Sequence, residues 1–93
     1  VIVGIMIIDI HCPYLHSLKE KRQVVSSIKE KLRHKFNISI IESDYQALWQ
    51  KTQLAVSTVS HARPGAESVF NQVEDFISRD YPVQLIDIDK QYI

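Results

Sequence analysis

The first ten residues constrain the fold more than any other stretch. Before Asp9 the chain reads Val1-Ile2-Val3-Gly4-Ile5-Met6-Ile7-Ile8, with no polar side chain and a majority of β-branched ones. A strand with one wet face alternates polar and apolar residues, whereas a run that is apolar at both parities belongs in the middle of a sheet. Any fold for this chain must therefore place residues 1–10 centrally. The run is too short to span a bilayer and lacks both a basic leader and a small-residue cleavage site, so it reads as a strand and no membrane is expected as a partner.

His11 to His16 follow as a loop, with Pro13 stopping the ladder, and Ser17 with Glu20 three residues later forms a capping box. A first helix is predicted from about Leu18 to Lys35, burying Leu18, Val24, Val25, Ile28 and Leu32. Lys21 falls on that same apolar side, so its stem is expected to pack at the sheet margin with its ammonium paired. Phe36 to Glu42 reads as a second, edge strand. Residues 43–51 read as a long connection with a helical turn at Ala47-Leu48-Trp49, anchored by a buried Trp49. Gln53 to Ser60 alternates as a third strand. Pro64 fits the first turn of a second helix whose stripe is Ala66, Val69, Phe70, Val73, Phe76 and Ile77, and Tyr81-Pro82 ends it. Val83 to Lys90 is the last strand.

The order βαββαβ, with right-handed crossovers and short connections, predicts an α+β ferredoxin-like plait. Its four-stranded antiparallel sheet has the first and third strands central and both helices on one face. The 93 residues make one domain, and two glycines and three prolines leave no room for a linker. Two helices cover one sheet face only, so one row of the first strand stays bare. Val1, Val3, Ile5 and Ile7 form such a row and are the candidate interface of a homo-oligomer packed face to face.

Charge supplies the main functional clue. Lys and Arg total 11, as do Asp and Glu, yet seven of the basic residues fall between positions 19 and 35. Lys19, Arg22, Lys29 and Arg33 line the side of the first helix opposite its apolar stripe, a spacing suited to successive phosphates of a nucleic-acid backbone. The competing reading is a solvated face whose charge is absorbed by Glu20, Glu30 and the second helix's Glu67, Glu74 and Asp75. The central strands carry no aromatic residue, which disfavours base stacking on the sheet in the manner of an RRM and points any RNA contact to the first helix or the loops.

Catalysis and cofactors have little behind them. The loop after the first strand lacks the arginine and cradle of acylphosphatase-like chemistry, and no Gly-rich phosphate loop occurs. His11, Cys12 and His16 are too thin a set for a metal, and Asp87 with Asp89 reads as a wet strand face rather than a carboxylate pair. No catalytic residue, metal or cofactor is assigned. Cys12, the single cysteine, permits no internal disulfide and suits a reducing cytosol. Glu42, Asp44 and Trp49, with Gln46 nearby, either line a groove at the end of the second strand or fix the connection structurally.

Ser17-Leu18-Lys19-Glu20-Lys21-Arg22, Phe36-Asn37-Ile38-Ser39, Glu42, Asp44, Leu48-Trp49-Gln50, Ala55-Val56 and Val59-Ser60 occur in the order seen in the YlxP-like family, a bacterial domain of unknown function that this chain resembles over nearly its whole length. The resemblance implies a small cytoplasmic ferredoxin-like protein, often encoded beside translation-initiation and ribosome-maturation genes, with no established reaction and no catalytic residue to transfer. Ala47 stands where relatives often have an acidic residue, and Ala55 where glycine is common. The expectation is a non-enzymatic cytoplasmic oligomer that binds RNA or a ribosomal subunit through the first helix. The alternative is a homo-oligomeric interaction or structural module without nucleic acid.

Overall fold

A computed structural model describes residues 1–93. The elements are β1 (Ile2–His11), α1 (Leu18–Lys35), β2 (Ser39–Asp44), β3 (Lys51–Ser60), α2 (Arg63–Asp80) and β4 (Gln84–Tyr92). The sheet is antiparallel in the order β2-β3-β1-β4, so β1 and β3 are central, as the doubly apolar opening run requires. This is the ferredoxin-like plait.

Ser17 starts α1 by accepting a 3.1 Å hydrogen bond from the Glu20 backbone N–H, the expected cap. The buried side of α1 is Lys21, Val25, Ile28 and Leu32, and that of α2 is Ala66, Phe70, Val73, Phe76 and Ile77. α2 packs over β1 and β3 and α1 over β2, on the sheet face where Met6, Ile8 and Ile10 of the even-numbered β1 row are fully buried. Gly4 in that row is required by contact: a Cβ there would lie 2.9 Å from the Phe70 ring.

Several strand boundaries differ from the sequence reading, the last strand among them, which runs from Gln84 to Tyr92. The second strand begins at Ser39, not Phe36, because Phe36 caps α1 through its N–H to the Leu32 carbonyl at 2.9 Å. It also runs on to Asp44, and β3 starts at Lys51, so the long connection shrinks to a six-residue hairpin loop. Its turn spans Tyr45 to Leu48, closed by Leu48 N–H to the Tyr45 carbonyl at 3.0 Å, instead of a helical turn at residues 47–49.

The odd-numbered row of β1 faces away from the helices. Val3 pairs with Val59, Ile5 with Ser57 and Ile7 with Ala55 on β3, and Ile5, Ile7 and Asp9 lie opposite Gln91, Asp89 and Asp87 on β4. Paired residues share a face, so the bare side is apolar over β1 and acidic along one end of β4.

Candidate functional site

α1 presents its basic side chains to solvent on the face opposite the core. Lys19, Arg22, Gln23, Ser26, Glu30 and Lys31 line its outer furrow together with His34, and no apolar side chain takes part. Every lining residue comes from this one helix, so the furrow is a surface to lie along, not an enclosed pocket. Of the four residues expected there, Lys19 and Arg22 sit in the furrow. Lys29 is half-buried on the flank, and Arg33 sends its guanidinium to the Ile40 carbonyl on edge strand β2 at 2.8 Å. Arg33 therefore ties α1 to the sheet as well as carrying charge.

The acids of α2 do not absorb this charge. The molecule has three ion pairs: Lys21–Glu42 at 2.7 Å, Arg63–Glu67 at 2.7 Å and Lys90–Glu74 at 2.8 Å. Glu67 and Glu74 are thus engaged away from α1, and no carboxylate pairs with Lys19, Arg22, Lys29 or Arg33. Lys31 and Lys35 lie over the Tyr81 and Phe76 rings at 5.6 and 5.2 Å, contacts that keep the cation's charge.

Lys21 is the exception, and its placement matches its position on the helical wheel. Its side chain is 1% exposed, and its ammonium bonds the Glu42 carboxylate and the Tyr45 carbonyl. Thr52 donates to the same Glu42 oxygen at 2.6 Å. A buried charge of this kind persists only when paired and hydrogen-bonded. Cys12 packs beside the pair: burial pushes its thiol pKa up, the Lys21 ammonium pulls it down and the Glu42 carboxylate raises it again. No three His, Cys, Asp or Glu side chains gather into a metal-holding set.

Glu42, Asp44 and Trp49 line no groove. Glu42 serves Lys21, while Asp44 Oδ1 accepts the Tyr45 N–H at 2.7 Å. Trp49 is not the buried anchor of the loop; half of its surface faces solvent. The anchor is Gln50, whose carbonyl accepts Cys12 N–H at 2.8 Å and whose amide donates to the Leu15 carbonyl at 3.2 Å. Sequence reasoning quoted Gln50 only as a motif letter, and the left-handed Tyr45 (φ 63°) was missed. The Asp44 that precedes Tyr45, a residue type that closes turns with its own carboxylate, was the available signal.

On the bare sheet face, Val3, Ile5 and Ile7 form a ridge along β1, with Val3 the most open of the three and Val1 standing free at its end. Beside the ridge, over β3, lies a hollow of about 280 Å³ lined by Ile5, Ser39, Ile41, Ala55 and Ser57.

Comparison with known proteins agrees with the resemblance read from the motifs. Residues 3–90 match the family described as "Protein of unknown function (DUF503)". The "Uncharacterized protein YlxP" of Bacillus subtilis (strain 168) is 43% identical over 61 residues, which cover 66% of this chain and 66% of that protein. A solved structure from Thermus thermophilus, described as a putative PII-like signaling protein, superposes with a TM-score of 0.41 at 17% identity, covering 100% of this chain and 89% of the other. The helix-capping motif, the buried Lys21–Glu42 pair and the Gln50 strap thus sit on a chain that belongs to the DUF503 family of YlxP-like proteins.

Proposed function

We propose that this protein is a non-enzymatic, cytoplasmic RNA-binding module that lays the outer face of α1 along the phosphate backbone of a structured RNA or a ribosomal subunit. The observation that carries the reading is the excess positive charge of that face: of seven basic residues between positions 19 and 35, only the buried Lys21 meets a carboxylate, and Glu30 is the one acid in the furrow. Such contacts position a backbone without reading sequence. Binding through three or four phosphates should fall by about 20-fold or more between 50 and 200 mM salt.

The test is a filter-binding or anisotropy titration of the wild type against Lys19→Glu/Arg22→Glu/Lys29→Glu. Arg33 stays native because its bond to Ile40 also serves the fold. Loss of about tenfold or more in affinity, with unchanged urea stability, is expected. Binding that ignores the triple reversal would refute the reading.

The bare sheet face supports a companion reading, self-association. Its apolar ridge on β1 lies beside the hollow over β3, and a two-fold axis running along the strands between them sets each ridge into the other copy's hollow. Four strands about 4.8 Å apart and up to ten residues long project to roughly 600 Å² before side-chain relief. That approaches the roughly 800 Å² per partner of a stable interface.

A further inference from the structure

Residues 45–50, the hairpin loop between β2 and β3, are held at both ends. At the first end Tyr45 adopts its left-handed turn, its N–H bonded to Asp44, its carbonyl taken by both Leu48 N–H and the buried Lys21 ammonium, and its ring covered by the Lys51 ammonium at 4.3 Å. At the other end Gln50 grips Cys12 and Leu15, in the loop that leads into α1. Between these two fixed points the loop turns its largest apolar side chains outward: Leu48 is 48% and Trp49 49% exposed. Tyr14, in the loop that Gln50 grips, is 37% exposed. A loop anchored this thoroughly, yet presenting an indole to water, has the construction of a preorganised contact.

The distribution of exposed rings narrows what the contact would receive. Ten large apolar side chains stand exposed, of which Tyr14 and Trp49 alone are aromatic, and both belong to the loops at the N-terminal end of α1. The bare sheet face, where ferredoxin-like RNA binders stack bases, offers none. Lys19 and Arg22 of the furrow stand on the first turns of the same helix and Lys51 at the base of the hairpin, against Glu20 and Asp44. A polyanion guided along α1 would meet the rings at the helix's start.

We infer that Trp49, with Leu48 next to it in the hairpin loop, is a stacking platform for unpaired bases of the RNA whose backbone α1 holds; the inference rests on the function proposed above. It assigns the protein to RNAs with a single-stranded loop or end next to a structured stem. α1 supplies charge, and the hairpin loop supplies preference for unstacked bases, which any aromatic face accepts with little regard to sequence.

Trp49 is the only tryptophan in the chain, so its emission reports on itself. A short fluorescein-labelled oligouridine and an RNA duplex of the same length would be titrated at low salt, following dye anisotropy for binding and, with unlabelled RNA, indole fluorescence for stacking. The single strand is expected to quench Trp49 saturably, in step with anisotropy, and the duplex to bind without quenching. Trp49→Ala should weaken oligouridine binding by about 5- to 100-fold at unchanged urea stability, and Trp49→Phe should restore most of it. Full-affinity binding to Trp49→Ala without quenching in the wild type would overturn the platform and leave the α1 reading standing. No binding of either RNA would overturn both. Loss of self-association in Trp49→Ala, with no effect on RNA, would make the loop a protein contact and also overturn the proposal.

Discussion

Lys21 concentrates more physical chemistry than any other residue. Its ammonium has left water entirely, and Glu42, 16% exposed, has nearly done so. Removing one partner leaves the other charge without compensation, while replacing both with apolar groups of similar shape removes the desolvation cost along with the attraction. Lys21→Met should therefore cost about 3 kcal/mol by urea unfolding, and Lys21→Met/Glu42→Leu distinctly less than the two single changes summed. Additive single and double mutants would show that the pair is not coupled. The helical wheel alone placed Lys21 against the core, because side-chain direction on a helix follows from spacing. Its partner was not legible, since Glu42 arrives from a different element whose register depends on β3. Trp49 misled for a related reason. Hydrophobicity says that an indole gains by burial, but the closed Tyr45 turn and the Gln50 strap decide which way it points.

Among the elements, the helix starts form an instructive contrast. Ser17 caps α1 with its side chain, whereas Ala62 occupies the same extended N-cap geometry before α2 (φ −147°, ψ 161°) with no side-chain bond, and the first turn of α2 holds no acidic residue. Ala62→Asp would offer a side-chain acceptor to the first-turn N–H groups, where Pro64 has none and Gly65 N–H reaches only the Ala62 carbonyl at 3.2 Å, and would place a negative charge at the positive end of the helix dipole. A gain of about 1 kcal/mol is expected in urea or thermal unfolding, and no gain would mean that those N–H groups already have adequate partners in water. The extent of α1 was readable to the residue because cap, apolar stripe and basic last turn all agree. The start of β2 was not, because Phe36 looks like strand material yet closes the helix, a choice made by its backbone hydrogen bond to Leu32 and not by its composition.

At the scale of the molecule, the plait was legible because a doubly apolar first strand and the order βαββαβ leave few arrangements, and strands β3 and β1 do occupy the centre. The surface it creates invites the remaining prediction. Ile5→Lys puts a charge on the ridge without touching the helix-facing core, so the wild type should migrate as a dimer in light-scattering chromatography and the variant as a folded monomer. A monomeric wild type at high concentration would end the face-to-face reading. Both helices lie on one side of the sheet, and this has a geometric consequence for such a pair. Two sheets meet about 10 Å apart, and a helix layer about 10 Å thick stands behind each. The two copies of α1 would then look outward in opposite directions, some 30 Å apart or more. No single duplex could touch both, so the pair would bridge two separate segments, and its grip on a folded RNA would depend on how close that RNA brings them.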